Sequence, residues 1–318
     1  MHIRHALEND AVAVIAECLR IRPEQLLANR VLEERCSHVI SVERVLSRFE
    51  YLWHVRYSSA EVEPFERKGN LRGLLNWVVW QSERAFYNVL KSEHQIFRGW
   101  CAHEMTRGPA RLIPPHSKLW FRSQLRDRKT VCRSKLHGFG HWRGVSWLSQ
   151  ILASRLPGAD PVVTVLFGLF HDLERHNDGA DPEHGPRAAD LLDAIGSTRL
   201  GLSDSQLAAL CLACRDHSAG RVHIDPTVAS CWDADRLTLW RCRIAPRPEF
   251  LSPQIGSAPT LLMLGRIVAL VPPLWSEVFE PVLYWRRLLQ KPFFSEPRLP
   301  VLLRLRDADE MRKVRSRK

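Results

Sequence analysis

No stretch of the 318 residues reaches 18 uninterrupted apolar positions. The nearest approach, Leu261 to Trp275, is broken by Arg266 and by Pro272-Pro273, so no membrane-spanning helix is expected there. The N-terminus, MHIRHALENDAVAV, carries acidic residues ahead of any apolar run and lacks a clear cleavage site. No secretory leader is therefore expected. The eight cysteines are scattered, without the spacing of a disulfide framework. They read as reduced thiols of a cytoplasmic protein. Period-two alternation is scarce, which argues against strands, and neither an internal repeat nor a low-complexity segment stands out.

What remains is helical texture with enough apolar residues, 45% of the chain, to fill a core. Val12, Ile15, Cys18 and Leu19 recur at helical spacing and predict a helix over residues 1–22, stopped by Pro23. Residues 24–57 predict one or two more. The Trp-rich stretch LRGLLNWVVWQSERAFYNVL predicts another over 71–92, read as packing rather than as a base-stacking platform. Pro109, Pro114 and Pro115 mark loop. Residues 121–135 hold six basic side chains and one acid and read as a linker or solvated face.

From His137 the pattern predicts five consecutive helices. Pro157-Gly158 ends the first, Pro161 opens the second over 160–175, Gly196 stops the third, Ser203-Asp204 starts the fourth, and Asp225-Pro226 starts the fifth. The expectation is an all-α protein in three parts: an N-terminal helical region over 1–135, a helical domain over 136–253, and an extension over 254–318. In that extension 261–271 predicts a helix, while the prolines between 272 and 300 favour irregular chain and the basic tail favours disorder. Charge follows the same partition. Residues 137–253 carry 11 Lys+Arg against 14 Asp+Glu, and the remainder carries 35 against 21, within a net charge of +11. The positive excess lies entirely outside the middle segment.

That middle segment ends an apolar run, LFGLF, in His171-Asp172. His141, His184, His217, Asp233 and Asp235 each fall near a turn or end of a proposed helix. Adjacent His171 and Asp172 point about 100° apart on a helix and can clasp one ion over the seam between them. His141 and one aspartate of the last helix would close the set. Two imidazoles and two carboxylates suit Mn, Fe, Zn, Co or Ni better than Ca.

The order of these residues resembles the HD-domain superfamily of metal-dependent phosphohydrolases over residues 137–253. The carriers are His141 in HGFGHW, His171-Asp172 in LFGLFHDLE and an aspartate in CWDADRL. HGPRAADLL and ACRDHSAG resemble a subgroup with further histidines near the metal. The resemblance implies one or two divalent ions, Mg among the candidates, held by His141, His171, Asp172 and Asp235. It favours Asp235 over its rival Asp233 because the family's last ligand commonly precedes a basic residue and a leucine. His137, four residues before His141, is the rival first ligand. The implied catalytic residues are Asp172, His184, His217 and Arg187, with Arg187 as a phosphate clamp. Glu174, Arg175 and Asp178 are further candidates. One departure stands out: the family's Arg-Val pair after the first histidine is Gly144-Val145 here, with Arg143 one position early.

Cys211 and Cys214 fit the apolar face of a helix and read as core thiols, while His176 and His223 read as ordinary histidines. The implied activity is hydrolysis of a phosphoester in a nucleotide or other small phosphorylated metabolite. The alternative is a metal-holding module that binds nucleotide, or nucleic acid through its basic flanks, without catalysis.

Overall fold

The structure, a computed structural model, describes residues 3–20, 42–53, 55–58, 71–105 and 133–289, with the single residues 22, 60 and 62. Residues 24–41, most of the basic stretch 121–135, the prolines at 109, 114 and 115, and the basic tail lie outside the described residues. Among those described there are thirteen α-helices and no strand, the all-α class that the periodicity predicts. No helix among them is long and apolar enough to cross a membrane.

The chain divides into two compact units, one through Asn88 and one spanning Val89–Gln290. In the first, α1 (Ile3–Leu19) packs on α2 (Val42–Trp53). The Trp53 indole donates to Asp10 Oδ2 at 2.6 Å, and the Tyr57 and Ser82 hydroxyls pair at 2.8 Å. The helix α3 (Leu71–Met105) runs thirteen residues beyond its expected end, and the boundary between units falls inside it.

In the second unit, α4 (Phe139–Ala153) and α5 (Pro161–Phe170) make the most extensive helix pair. At Gly168 a Cβ would stand 2.2 Å from the Ser146 backbone nitrogen, so the two backbones touch. Ser149 Oγ adds a hydrogen bond to the Thr164 carbonyl at 2.7 Å. Next come α6 (His184–Ile195), the single turn α7 (Ser197–Leu200), α8 (Asp204–Asp216) and α9 (Pro226–Leu237). The second predicted helix is five residues shorter than expected: its regular part ends at Phe170, and His171 is its C-cap.

Three helices share one kind of start. Asp160 caps α5 through the Val162 and Val163 N–H groups, with Pro161 next to it. Asp225 caps α9 through Thr227 and Val228, beside Pro226. Ser203 and Gln206 form a capping box on α8. The caps are clipped to one another. Gln206 Nε2 donates to Asp160 Oδ2 at 2.8 Å, and the Asp160 N–H donates to Thr227 Oγ1 at 3.0 Å. The starts of α5, α8 and α9 are thus tied together at one end of the bundle.

The expected irregular extension is ordered through Leu289. Pro253, Pro259 and Pro281 open α10 (Pro253–Gly256), α11 (Pro259–Leu270) and α13 (Pro281–Leu289), with the short α12 (Trp275–Phe279) between the last two. Proline lacks an N–H that a first helical turn does not use, so these prolines start helices rather than prevent them. The extension belongs to the same core as α4. Trp147 Nε1 donates to the Pro281 carbonyl at 3.3 Å, and Gln150 Nε2 donates to that of Val278 at 3.1 Å. The Trp147 ring packs against Tyr284 and Trp285 at centroid distances of 4.5 and 4.9 Å. The compact unit therefore runs past both expected limits, 136 and 253.

Candidate metal centre

The starts of α4 and α6 meet the ends of α5, α8 and α9 at the other end of the bundle. His141 comes from the first turn of α4, His184 opens α6, His171 and His217 are the C-caps of α5 and α8, and Asp235 lies in the last turn of α9. Gly185 permits the approach of α6 to α8. A Cβ there would stand 2.6 Å from the Cys214 carbonyl oxygen.

Side chains from these five helices converge. His141 Nε2 lies 3.0 Å from His171 Nε2, 3.4 Å from Asp172 Oδ2 and 3.2 Å from Asp235 Oδ1. His171 Nε2 lies 3.6 Å from Asp172 Oδ2 and 4.0 Å from Asp235 Oδ1. Ligands about 2.1 Å from a tetrahedral ion sit about 3.4 Å from one another, in the middle of this range. On the far side of Asp172, Oδ1 lies 3.2 Å from His184 Nε2 and 3.9 Å from His217 Nε2, and those two nitrogens are 2.8 Å apart. His137 Nδ1 stands 3.0 Å from Asp172 Oδ2. Three overlapping groups can hold a metal ion: His137, His141 and Asp172; His141, His171 and Asp235; and Asp172, His184 and His217.

The tautomers follow from what stands behind each ring. His171 Nδ1 faces the Phe167 carbonyl at 3.2 Å, His217 Nδ1 faces that of Cys214 at 2.7 Å, and His184 Nδ1 faces that of Asp181. A carbonyl only accepts, so each Nδ1 carries the hydrogen. Behind His141 stands the Thr238 hydroxyl at 3.3 Å, which spends its own hydrogen on the Asp235 carbonyl and so accepts from the ring. In the neutral rings four Nε2 lone pairs therefore aim inward. Two lone pairs at 2.8 or 3.0 Å cannot satisfy each other, whereas a cation between them satisfies both.

The electrostatics agree. Burial pulls His171 down to about 3 and also lowers His217, so both rings are neutral near pH 7. Burial alone would raise Asp172 and Asp235. The surrounding imidazoles more than reverse this, with Arg241 assisting at Asp235, and both carboxyls titrate below their ordinary range. At His184 burial opposes the charged form, yet the bonds to Asp172 and Asp181 raise its pKa. Two anions, Asp172 buried and Asp235 partly exposed, among imidazoles form a site that attracts positive charge.

The centre forms part of the wall of a cavity of about 410 Å³. Arg175 also lines it. Its Nε and one terminal nitrogen are fixed on the Asn177 and Gly179 carbonyls at 2.9 and 2.7 Å, and the other stands 3.3 Å from both His184 ring nitrogens and 3.8 Å from Asp172 Oδ1. The expected clamp, Arg187, is not among the lining residues. Its guanidinium takes the Asp181 carboxylate at 2.7–2.8 Å and the Glu174 carbonyl at 3.0–3.2 Å. The acidic loop after the His-Asp pair captures it. Asp178 is bonded to Ser134 Oγ and does not line the cavity.

Asp233 is buried but apart from the cluster, since two residues along a helix turn a side chain about 200°. Its oxygens accept the Ser252 N–H at 3.1–3.2 Å. Burial pushes its pKa up to about 6, from an ordinary 3.8. A carboxyl whose folded pKa is raised favours the fold below about pH 4, and that contribution is lost as pH rises through about 6. Asp233→Asn should therefore stabilise the protein at pH 8 by up to about 3 kcal/mol and by little at pH 4. Urea titrations at the two pH values measure the difference.

Sequence reasoning passed over Thr238 and Arg241, three and six residues after Asp235. Arg241 ties the site together, donating to the Leu136 carbonyl at 2.6 Å and to Thr238 Oγ1 at 3.1 Å. Their spacing from the aspartate places them near the same helix end and was the available signal. Comparison with models of known protein families, with curated proteins and with solved structures returns no match.

Proposed function

We propose that this protein is a metal-dependent phosphohydrolase of the HD type, acting on a phosphoester of a nucleotide or other small phosphorylated metabolite. One observation carries the reading: Asp172 offers its two carboxylate oxygens to two separate sets of imidazole Nε2 atoms. A carboxylate so placed can serve one ion or two at the wall of a cavity that also presents arginine. His141, His171, Asp172 and Asp235 would hold the ion. His184 and His217 would hold a second one or contact phosphate oxygens.

A bound divalent ion supplies Lewis acidity toward a phosphoryl oxygen and lowers the pKa of a water. The chain's own groups do the rest. Arg175 directs one guanidinium nitrogen at the phosphate, where charge-assisted bonds are strongest. Asp172, ionised and buried, takes the proton of the attacking water. The water oxygen bonds to phosphorus as the ester P–O bond breaks, and the leaving oxygen picks up a proton to give the free alcohol.

Purified protein should release inorganic phosphate from a panel of phosphomonoesters when supplied with Mn²⁺, Fe²⁺, Co²⁺, Ni²⁺ or Zn²⁺. The release should stop with a chelator and be absent from the His171→Ala/Asp172→Ala double variant. Equal background in wild type and variant would remove the reading.

A further inference from the structure

We infer, resting on the phosphohydrolase reading but narrowing it to the non-nucleotide metabolites, that the substrate's phosphoryl group carries an apolar leaving group, such as an aryl alcohol, rather than a sugar or other polyol. The inference comes from the wall of the cavity away from the metal centre. That wall is formed by Leu239, Ile244, Ala245 and Phe250, with Arg247 at its rim. All belong to the irregular chain after α9. A 3-10 turn spans Leu239–Cys242, and Arg243 follows in the left-handed region at φ 60° and ψ 29°. A non-glycine residue seldom sits there. The turn reverses the chain, so the Ile244 N–H returns to the Leu239 carbonyl at 3.3 Å. It holds Ile244 on the cavity wall although that side chain is 50% exposed.

Phe250 adds an aromatic ring to this wall. The Arg247 guanidinium lies over the Phe250 ring at 4.3 Å. The Phe250 backbone is held in place, because Arg236 donates to its carbonyl at 2.7 Å and to that of Arg221 at 2.6 Å. An apolar group against Leu239, Ile244, Ala245 and Phe250 would lose water there and lie near the Arg247 guanidinium.

Hydrogen-bonding capacity points the same way. Arg236 and Arg241 line the cavity but direct their donors at backbone carbonyls of Phe250, Arg221 and Leu136. Arg247 lies 3.4 Å from Glu249 Oε1. Away from the metal centre, Ser218 is the one lining residue with a hydroxyl. A polyol would surrender several hydrogen bonds to water and recover few, which costs affinity. The cavity's 410 Å³ is at the small end of the range for small-molecule sites, roughly 300–1,000 Å³, so the compartment suits one ring rather than a long chain.

The test is calorimetric titration of the Mn²⁺-loaded full chain with phenylphosphonate, methylphosphonate and inorganic phosphate. The two phosphonates share the anion and differ in the apolar group. Phenylphosphonate should bind about tenfold more tightly than methylphosphonate, the gain from covering one aromatic ring. Phe250→Ala and Ile244→Ser should each bring that ratio toward one, with methylphosphonate affinity unchanged. Equal affinity of the two phosphonates in the wild-type protein overturns the inference and leaves the phosphohydrolase reading intact. If none of the three anions binds the loaded protein, both fall.

Discussion

Asp172→Asn is expected to lower metal-dependent phosphate release by about a thousandfold or more, the loss of several kcal/mol of charge stabilisation at the reacting phosphate. Among the described residues Asp172 is the one carboxylate within 4 Å of His141 and His171 on one side and of His184 and His217 on the other. The amide keeps the shape and one acceptor oxygen but removes the negative charge. It also turns one arm into a donor, which faces either the Nε2 pair of His184 and His217 or that of His141 and His171. Metal content should fall with activity, because a neutral amide ligates a divalent transition metal poorly. Elemental analysis of wild type and variant after identical loading and desalting reads this directly. A variant that keeps its metal and more than about a tenth of the rate would mean that the clusters do not depend on the residue between them.

Gly168→Ala is expected to cost about 3 kcal/mol or more, at the upper end of what overpacking does in cores. The added methyl would stand 2.2 Å from the Ser146 backbone nitrogen, 2.4 Å from its Oγ and 2.5 Å from its Cα. Two of these are backbone atoms of α4 and cannot swing aside as a side chain does. Relief requires α5 to move away from α4, and the two helices carry His171 and His141. Stability and the 3.0 Å separation of their Nε2 atoms should suffer together. The shift in urea midpoint gives the first, and weakened Mn²⁺ binding under native conditions gives the second. A change below about 0.5 kcal/mol would mean that the helices cross less closely.

The parts of the structure that the sequence made legible are those written in local chemistry. Asp160-Pro161, Asp225-Pro226 and Ser203-Asp204 are helix starts for reasons contained within four residues, and the helices begin there. Periodicity without alternation spoke for an all-α chain, and its described residues are all-α. His141, His171, Asp172 and an aspartate of the last helix were grouped by their order at helix ends, the family resemblance favoured Asp235 for the last, and the ends meet. What local chemistry does not hold is competition between side chains that meet only once a loop has folded. Arg187 could be read as a clamp only while Asp181 was ignored, and nothing short of the fold brings that carboxylate to it before any phosphate can. The same limit hid the role of Pro281, which reads as a breaker in isolation but starts a helix whose Tyr284 and Trp285 pack against Trp147.

The clipped caps of α5, α8 and α9 turn these three helices into rulers. With their origins pinned to one another, each helix length decides where its far end delivers a side chain. Asp160 to His171 is eleven steps and Ser203 to His217 is fourteen, while Asp225 to Asp235 is ten. Adding one residue to any of them would advance its terminal group by about 1.5 Å and swing it by about 100°. No imidazole or carboxylate could then meet its neighbours at 3–4 Å. Insertions and deletions should be tolerated in a loop such as 154–159, which holds no side chain of the site, far better than inside these spans, whose residue counts are part of the site.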